Sequence, residues 1–151
     1  MWSAATVLVC ALSLLGRSAN TLPPIEFVDL PPPEASPDAE AFIRRPSNTI
    51  YLITSTSAFQ DAQRARDRCG DFQALRKLAS IIVHEEWHVL HGPDEGGAYL
   101  AQMMALRSTL RVDPSSPLFR SVRRSMNAVL EAQRSRPPTT MTAELSLASV
   151  P

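Results

Sequence analysis

The chain has 151 residues, which leaves room for one domain, and 44% of them are hydrophobic, enough to build a core. Its 15 basic and 15 acidic side chains give a formal net charge of zero, so the composition gives no indication of nucleic acid or an anionic membrane surface as a partner. Thirteen prolines against five glycines indicate stiff, irregular ends.

Residues 4–15 form an uncharged apolar run of twelve near the amino terminus. The run is too short to span a bilayer and precedes a region of small residues that ends at Ala19, which is typical of a secretory signal. We therefore predict that residues 1–19 are a signal peptide, with an uncleaved anchor as the alternative. The mature protein is then expected to be secreted or periplasmic and free of the membrane. Cleavage would remove Cys10 and leave Cys69 with no intrachain disulfide partner.

Residues 20–46 are rich in proline and are predicted to form an extended leader, in which Ile25, Phe27 and Asp29 alternate as in a short strand. The following segment, 48–56, is rich in β-branched and aromatic residues and predicts a strand. This strand has two interpretations: an edge with which an extended peptide can pair, or a strand of the core.

Two helices are predicted next. Ser57 is predicted to cap a short helix that runs through Arg68, and Asp71 to cap a long helix over residues 72–91. At about 100° per residue, the long helix separates an apolar side from a polar side that carries histidines. The apolar side holds Leu75, Leu78, Ile82 and Val89, and the polar side holds Gln73, Lys77, Ser80, His84, His88 and His91. Glu86 falls on the apolar side, so it either pairs with an arginine or marks a narrower core face.

Two more helices are predicted over about residues 94–107 and residues 118–134, and residues 137–151 are predicted to be a disordered tail. The adjacent pair Gly96-Gly97 in the first of these helices is interpreted as allowing a close backbone approach. Trp87 in the preceding helix is interpreted as a packing residue rather than a substrate contact.

All three histidines of the chain lie in the long helix, where residues 84–88 read H-E-x-x-H. His84 and His88 are four residues apart and share one helix face at about 5–6 Å, so they can bind one metal ion together. Zinc accepts imidazole nitrogen, and a catalytic zinc uses three protein ligands and one water. Glu85 is placed to take a proton from that water. The motif therefore predicts a zinc site with Glu85 as the general base.

Three residues are candidates for the third ligand. His91 lies on the same helix face, but a tetrahedral ion needs a second direction of approach. Gly92 is expected to end the helix in the left-handed conformation, so the chain can turn back toward the histidines. Glu95 is the first choice, Asp94 the second and His91 the third. Tyr99, one turn past Glu95, is a candidate hydrogen-bond donor to a ligand or an oxyanion, with packing as the alternative.

The H-E-x-x-H motif followed by E-x-x-A at residues 95–98 resembles the gluzincin branch of zinc metallopeptidases over about residues 48–111. The interval between the motif and the downstream glutamate is shorter than in the larger members. A metzincin pattern, which needs glycine three residues after the second histidine, fits less well. The resemblance implies that His84, His88 and Glu95 are zinc ligands. It also implies that Glu85 is the general base in the hydrolysis of a peptide or protein substrate.

The sequence thus predicts a small α+β, zincin-like domain over residues 47–136, mainly helical with a short strand before the metal helix. We expect it to bind one zinc ion and to hydrolyse peptide bonds. The alternative is a non-enzymatic module with structural zinc, in which His91 or Asp94 is a fourth ligand that closes the site to water. A third possibility is a domain that needs a partner chain to complete its substrate cleft.

Overall fold

The computed structural model describes residues 1–136, which form an α+β fold of five α-helices and one three-stranded sheet. The predicted tail, 137–151, lies outside the described residues. None of the described helices is long and apolar enough to cross a membrane. The helices are α1 (Ala4–Leu15), α2 (Ser57–Arg64), α3 (Phe72–His91), α4 (Glu95–Met104) and α5 (Pro117–Arg134), and the strands are β1 (Ile25–Val28), β2 (Ala41–Arg44) and β3 (Thr49–Ile53).

The strand predicted over residues 48–56 is present as β3, and it lies in the middle of the sheet in the order β1-β3-β2. It pairs in parallel with β1, with Ile25 opposite Ile50, and antiparallel with β2, with Ala41 opposite Leu52. Because both of its edges are paired and its side chains are mostly buried, β3 is a core strand. The interpretation of β3 as a peptide-binding edge is therefore wrong.

The proline-rich segment 20–46 supplies two of the three strands. β1 coincides with the predicted alternation at Ile25 and Phe27, whereas β2 had not been predicted. The prolines flank these strands, as at Pro24 and Pro46, or lie in the loop between them. They therefore interrupt no pairing in the sheet. This segment differs from the predicted extended leader, since the sheet cannot form without it.

Helix α3 lies at the centre of the fold and has the predicted bounds. The carboxylate of Asp71 accepts a hydrogen bond from the backbone N–H of Ala74 at 3.0 Å, which is the expected N-cap. The predicted apolar side is buried against α1 and α2, while α4 packs on the polar side. Of the four apolar residues predicted, three are fully buried and one is partly buried: Leu75, Leu78, Ile82 and Val89.

Glu86 falls on this apolar side because it pairs with an arginine, which was one of the two expectations. Both nitrogens at the end of the Arg17 side chain donate to its carboxylate, at 3.2 and 2.8 Å. Such a two-point contact is stronger and more specific than a single hydrogen bond. The pair joins the segment after α1 to the helix that carries the histidines.

Helix α1 occupies the region predicted to be a signal peptide, and it is part of the core. Val7, Ala11 and Leu12 are buried against the rest of the domain, and Cys10 forms a disulfide with Cys69. A mature chain that lacks residues 1–19 cannot contain this core. The disulfide itself is compatible with an extracytoplasmic compartment, where such bonds persist.

We predict that the folded protein retains α1 and that the disulfide stabilises it. Replacing Cys10 and Cys69 by alanine together should lower the free energy of unfolding by about 2–4 kcal/mol, because the bond closes a long loop of the unfolded chain. Urea unfolding of the two proteins measures this difference. Mass spectrometry of the folded protein purified from its native host gives the independent check, and a chain that begins at Asn20 would contradict the prediction.

Candidate metal centre

Three side chains of metal-binding type converge where α3 meets α4. His84 and His88 come from α3 and Glu95 comes from the start of α4, and one ligand atom from each lies within 4.8 Å of the others. The Nε2 atoms of His84 and His88 lie 3.2 and 2.8 Å from the two carboxylate oxygens of Glu95. Zinc bonds of 2.0–2.2 Å at tetrahedral angles put neighbouring ligand atoms about 3.4 Å apart. The cluster therefore has the dimensions of a site for one ion.

The turn between the helices brings Glu95 back to the histidines. Gly92 has the expected positive φ of 96°, but its ψ of −161° is extended rather than left-handed helical, a combination that only glycine adopts readily. Asp94 then caps α4, because its Oδ1 accepts from the backbone N–H of Gly96 at 3.1 Å and from Gln133 Nε2 at 2.9 Å. The cap occupies Asp94 and leaves Glu95 free to face α3.

The backbone carbonyl of Gly92 determines which nitrogen of His88 faces Glu95. Nδ1 of His88 lies 2.8 Å from this carbonyl oxygen, which can only accept, so Nδ1 carries the proton. In the neutral ring Nε2 then carries a lone pair and can only accept. No hydrogen-bond donor among the described residues reaches this buried atom. It faces a carboxylate oxygen at 2.8 Å, which is also an acceptor. Two acceptors so close are stable only with a proton or a cation between them.

Nδ1 of His84 has a similar partner, the side-chain oxygen of Gln102 at 2.9 Å. Gln102 in turn donates to the hydroxyl of Ser80 at 3.1 Å. Neither Gln102 nor Ser80 was identified as a site residue from the sequence, although Ser80 lies on the histidine-bearing side of the predicted wheel. Both rings thus have their Nδ1 atoms bonded to protein acceptors and their Nε2 atoms directed at Glu95, which is the usual arrangement around ligating histidines.

A cleft of about 830 Å³ opens on the His84 side of the cluster. His84, Glu85, Tyr99 and Gln102 contribute to its wall. Glu85 is partly buried there, and this burial raises the pKa of its carboxyl while the positive charges of the two neighbouring histidines oppose the rise. A carboxyl with a raised pKa exchanges protons more readily near neutral pH, as a general base requires.

The remaining candidates lie outside the three-residue cluster. His91 is exposed, stacks on the ring of Trp87 with centroids 4.7 Å apart, and has its Nδ1 atom 3.2 Å from the carbonyl oxygen of Trp87. Asp94 acts as the cap, so it does not join the ligands. Tyr99 packs its ring edge-to-face with His84, with centroids 4.6 Å apart, and burial raises the pKa of its hydroxyl. This contact with the His84 ring is consistent with a packing role for Tyr99.

The close approach expected at the glycine pair is present at Gly97. A Cβ atom on this residue would collide with the six-membered ring of Trp87, so only glycine lets α4 approach α3 at this point. The contact also agrees with the interpretation of Trp87 as a packing residue. The contact between Gly97 and Trp87 holds the start of α4, which includes Glu95, close to the histidines.

The charges in the metal-free cluster stabilise each other. Hydrogen bonding to His84 and His88 lowers the pKa of Glu95 from 4.5 to about 2. The Glu95 carboxylate, at hydrogen-bonding distance, raises the pKa of His88 above its ordinary 6.5, against the opposing effect of burial. A proton on His88 therefore satisfies the carboxylate in the absence of metal, and a metal ion must displace this proton.

The chain matches no protein-family model, no curated protein and no solved structure. The gluzincin resemblance therefore depends on the H-E-x-x-H motif and the downstream glutamate alone. The structure supports a coarser statement: His84, His88 and Glu95 lie close enough to hold one metal ion.

The two pKa shifts predict a stability window for the metal-free protein. The lowered pKa of Glu95 contributes stability above pH 4.5 that is lost as the pH falls toward about 2. The raised pKa of His88 contributes stability below pH 6.5 that is lost as the pH rises through the folded-state value. The Glu95→Gln variant should therefore fall furthest below wild type between about pH 4.5 and 6.5 when both are unfolded by urea in a chelator. A difference that does not change with pH would contradict this pairing.

Proposed function

We propose that this protein is a zinc-dependent metallopeptidase in which His84, His88 and Glu95 hold the ion and Glu85 is the general base. The observation that carries the proposal is the convergence of two imidazole Nε2 atoms on one carboxylate, with both Nδ1 atoms hydrogen-bonded to protein oxygens. When the ring of His88 is neutral, its buried Nε2 is an acceptor that faces a carboxylate oxygen at 2.8 Å. A metal ion would satisfy it.

The type and number of ligands favour zinc with an open position. Two imidazoles and one carboxylate are a ligand set of catalytic zinc, whereas structural zinc is closed by four protein ligands. Within residues 1–136, only three side chains of this type come together at the site. The side chain of Glu95 is 48% exposed, so water can reach the ion from this side.

A zinc ion bound here would polarise the substrate carbonyl and lower the pKa of its bound water. Glu85 would take the proton from this water and return it to the leaving amine, and the raised pKa of its carboxyl supports both transfers. Glu85 does not compete with the ligands, because on a helix it projects about 100° away from His84. In this proposal, adjacent residues of the motif have different roles: His84 binds the metal and Glu85 transfers the proton.

The substrate is proposed to lie in the cleft beside His84. Its volume of about 830 Å³ is at the upper end of ligand pockets, so a short extended segment of peptide fits. Ala39, Glu40 and Ala41 line it where the chain enters β2, a strand at the border of the sheet. Backbone groups at such a border can pair with an extended peptide.

A structural role is the alternative, and one observation favours it. Glu95 lies 3.2 and 2.8 Å from the Nε2 atoms of His84 and His88, so the charges of these side chains alone can tie α4 to α3. In that case a bound ion would only strengthen the fold. The two functions differ in whether the metal carries an exchangeable water.

The first prediction from the proposal concerns the ligands. The purified protein should contain about one zinc per molecule, and His84→Ala or His88→Ala should remove it, because each supplies a bond that the others cannot replace. His91→Ala is the matched control on the same helix and should retain the metal, since His91 is exposed and stacks on Trp87. Metal analysis of the four proteins is the measurement. Equal zinc content in all four would exclude the site.

The third ligand can be tested with adjacent acids. Glu95→Gln should weaken zinc binding strongly, whereas Asp94→Asn should weaken it much less, because Asp94 bonds Gly96 and Gln133 instead of facing the histidines. Zinc titration against a competing chelator measures both affinities. A larger loss in Asp94→Asn, or in His91→Ala, would show that Glu95 is not the ligand.

The enzymatic role is tested with two adjacent glutamates. Glu85→Gln removes the base and should reduce hydrolysis of an unstructured protein substrate by at least about a hundredfold, with zinc content unchanged. Glu86→Gln is the matched control: it should lose stability through the Arg17 pair but keep the hydrolytic rate. Equal rates in wild type and Glu85→Gln would exclude Glu85 as the base. Full zinc, no exchangeable water and no cleavage would exclude the enzyme.

A further inference from the structure

We propose that Gln102 is a positioning residue that holds His84 in the tautomer required for metal binding. Its side-chain amide is itself held in one orientation by a chain of hydrogen bonds that ends on the backbone of α3. The inference deepens the proposed zinc site and rests on it for its functional meaning. The tautomer itself is a property of the metal-free protein and can be tested without zinc.

The direction of the chain follows from its last member. The hydroxyl of Ser80 lies 2.8 Å from the carbonyl oxygen of Lys77, and a carbonyl oxygen only accepts, so the proton of Ser80 is used in this bond. Its Oγ is then left as an acceptor, which the Gln102 amide nitrogen reaches at 3.1 Å. The nitrogen end of the Gln102 amide must therefore face Ser80.

The orientation of the amide then determines the state of the histidine. With its nitrogen toward Ser80, Gln102 presents its oxygen to Nδ1 of His84 at 2.9 Å. This oxygen accepts, so Nδ1 of His84 carries the proton and Nε2 is a lone pair. Nε2 faces the Glu95 carboxylate at 3.2 Å, and this acceptor favours a proton on Nε2. The hydrogen bonds from Gln102 and Ser80 therefore act against Glu95 in setting the tautomer. If the amide were reversed, Nδ1 would accept and Nε2 would be protonated, which would prevent it from binding a metal.

The burial of the three residues makes the chain effective. Ser80 is 0% exposed, Gln102 5% and His84 8%, so water has little access to compete for these groups. A buried amide is unfavourable unless its donors and acceptors are paired, and the neighbours of Gln102 along the buried side of α4, such as Ala98 and Leu106 just beyond it, are apolar. Packing alone therefore does not explain a glutamine at this position.

The chemical nature of Gln102 also has a consequence. Ligating histidines are often backed by a carboxylate, which adds negative charge to the ring and strengthens its bond to the metal. Gln102 fixes the tautomer and the orientation of the His84 ring, but because the amide is neutral it places no negative charge beside the ring. Gln102→Glu would keep the acceptor and add the charge. It is therefore the conservative variant. Compared with Gln102→Met, which has a side chain of similar length but no acceptor, it shows whether the hydrogen bond or the shape of the side chain matters.

The experiment compares three variants of the full chain. Gln102→Met keeps the length of the side chain and removes the acceptor, Gln102→Glu keeps the acceptor, and Ser80→Ala removes the group that orients the amide. Met103→Ala, a buried apolar residue next in α4, controls for general loosening of the helix. The first readout is the nitrogen NMR spectrum of the histidine rings in metal-free protein, above the pH at which the rings are protonated. The second is zinc affinity against a chelator.

We expect wild type and Gln102→Glu to hold His84 as the Nδ1–H tautomer, and Gln102→Met and Ser80→Ala to give a mixture. Zinc affinity should fall by about 10–100-fold in Gln102→Met. It should be retained or increased in Gln102→Glu and change little in Met103→Ala. An unchanged tautomer in Gln102→Met, or equal zinc affinity in that variant and wild type, would overturn the inference. If wild type binds no zinc, the proposed function fails, and the NMR result still decides the role of Gln102.

Discussion

The close packing of α4 on the polar side of α3 is the interaction on which the site depends. The two histidines share one helix, so a ligand from a second direction has to come from another element, and the short turn through Gly92 supplies Glu95. The approach is possible because Gly97 lets the ring of Trp87 lie against the backbone of α4. A side chain at that position would collide with the ring of Trp87, so either the ring or the backbone of α4 would have to move. The absence of a side chain at Gly97 therefore permits the helix contact beside which Glu95 meets the histidines.

This packing buries polar groups, and the fold satisfies all but one of them at the centre of the site. Ser80, Gln102 and His84 form a continuous chain of hydrogen bonds, and His88 bonds the carbonyl of Gly92. The exception arises when the ring of His88 is neutral, because its Nε2 then faces the Glu95 carboxylate as a second acceptor. A buried acceptor without a donor lowers the stability of the fold. Buried polar groups of this kind are found mostly at functional positions. In the metal-free protein a proton can occupy this place, and the proposed zinc competes for it.

Local patterns in the sequence predicted the approach of His84, His88 and Glu95 better than they predicted the sheet and the amino-terminal helix. The histidine spacing, the cap at Asp71 and the turn that returns Glu95 depend on residues close together in the chain. The role of Gln102 depends on a contact 18 residues away, and the disulfide joins residues 59 apart, so neither leaves a periodic signal. β2 is four residues long and stands among prolines. The apolar run in α1 has the composition of both a signal peptide and a buried helix, which periodicity cannot separate.

The contact between Arg17 and Glu86 links this ambiguity at the amino terminus to the proposed chemistry. Glu85 and Glu86 are adjacent and point about 100° apart on α3, so one lines the cleft and the other faces the chain that follows α1. The side chain of Glu86 is only 16% exposed. Cleavage after Ala19 would remove Arg17, leave this carboxylate without its partner, and uncover the apolar side of the helix that carries His84 and His88. The apolar side of α3, opposite His84, His88 and Glu95, is therefore covered only in the form of the protein that keeps α1.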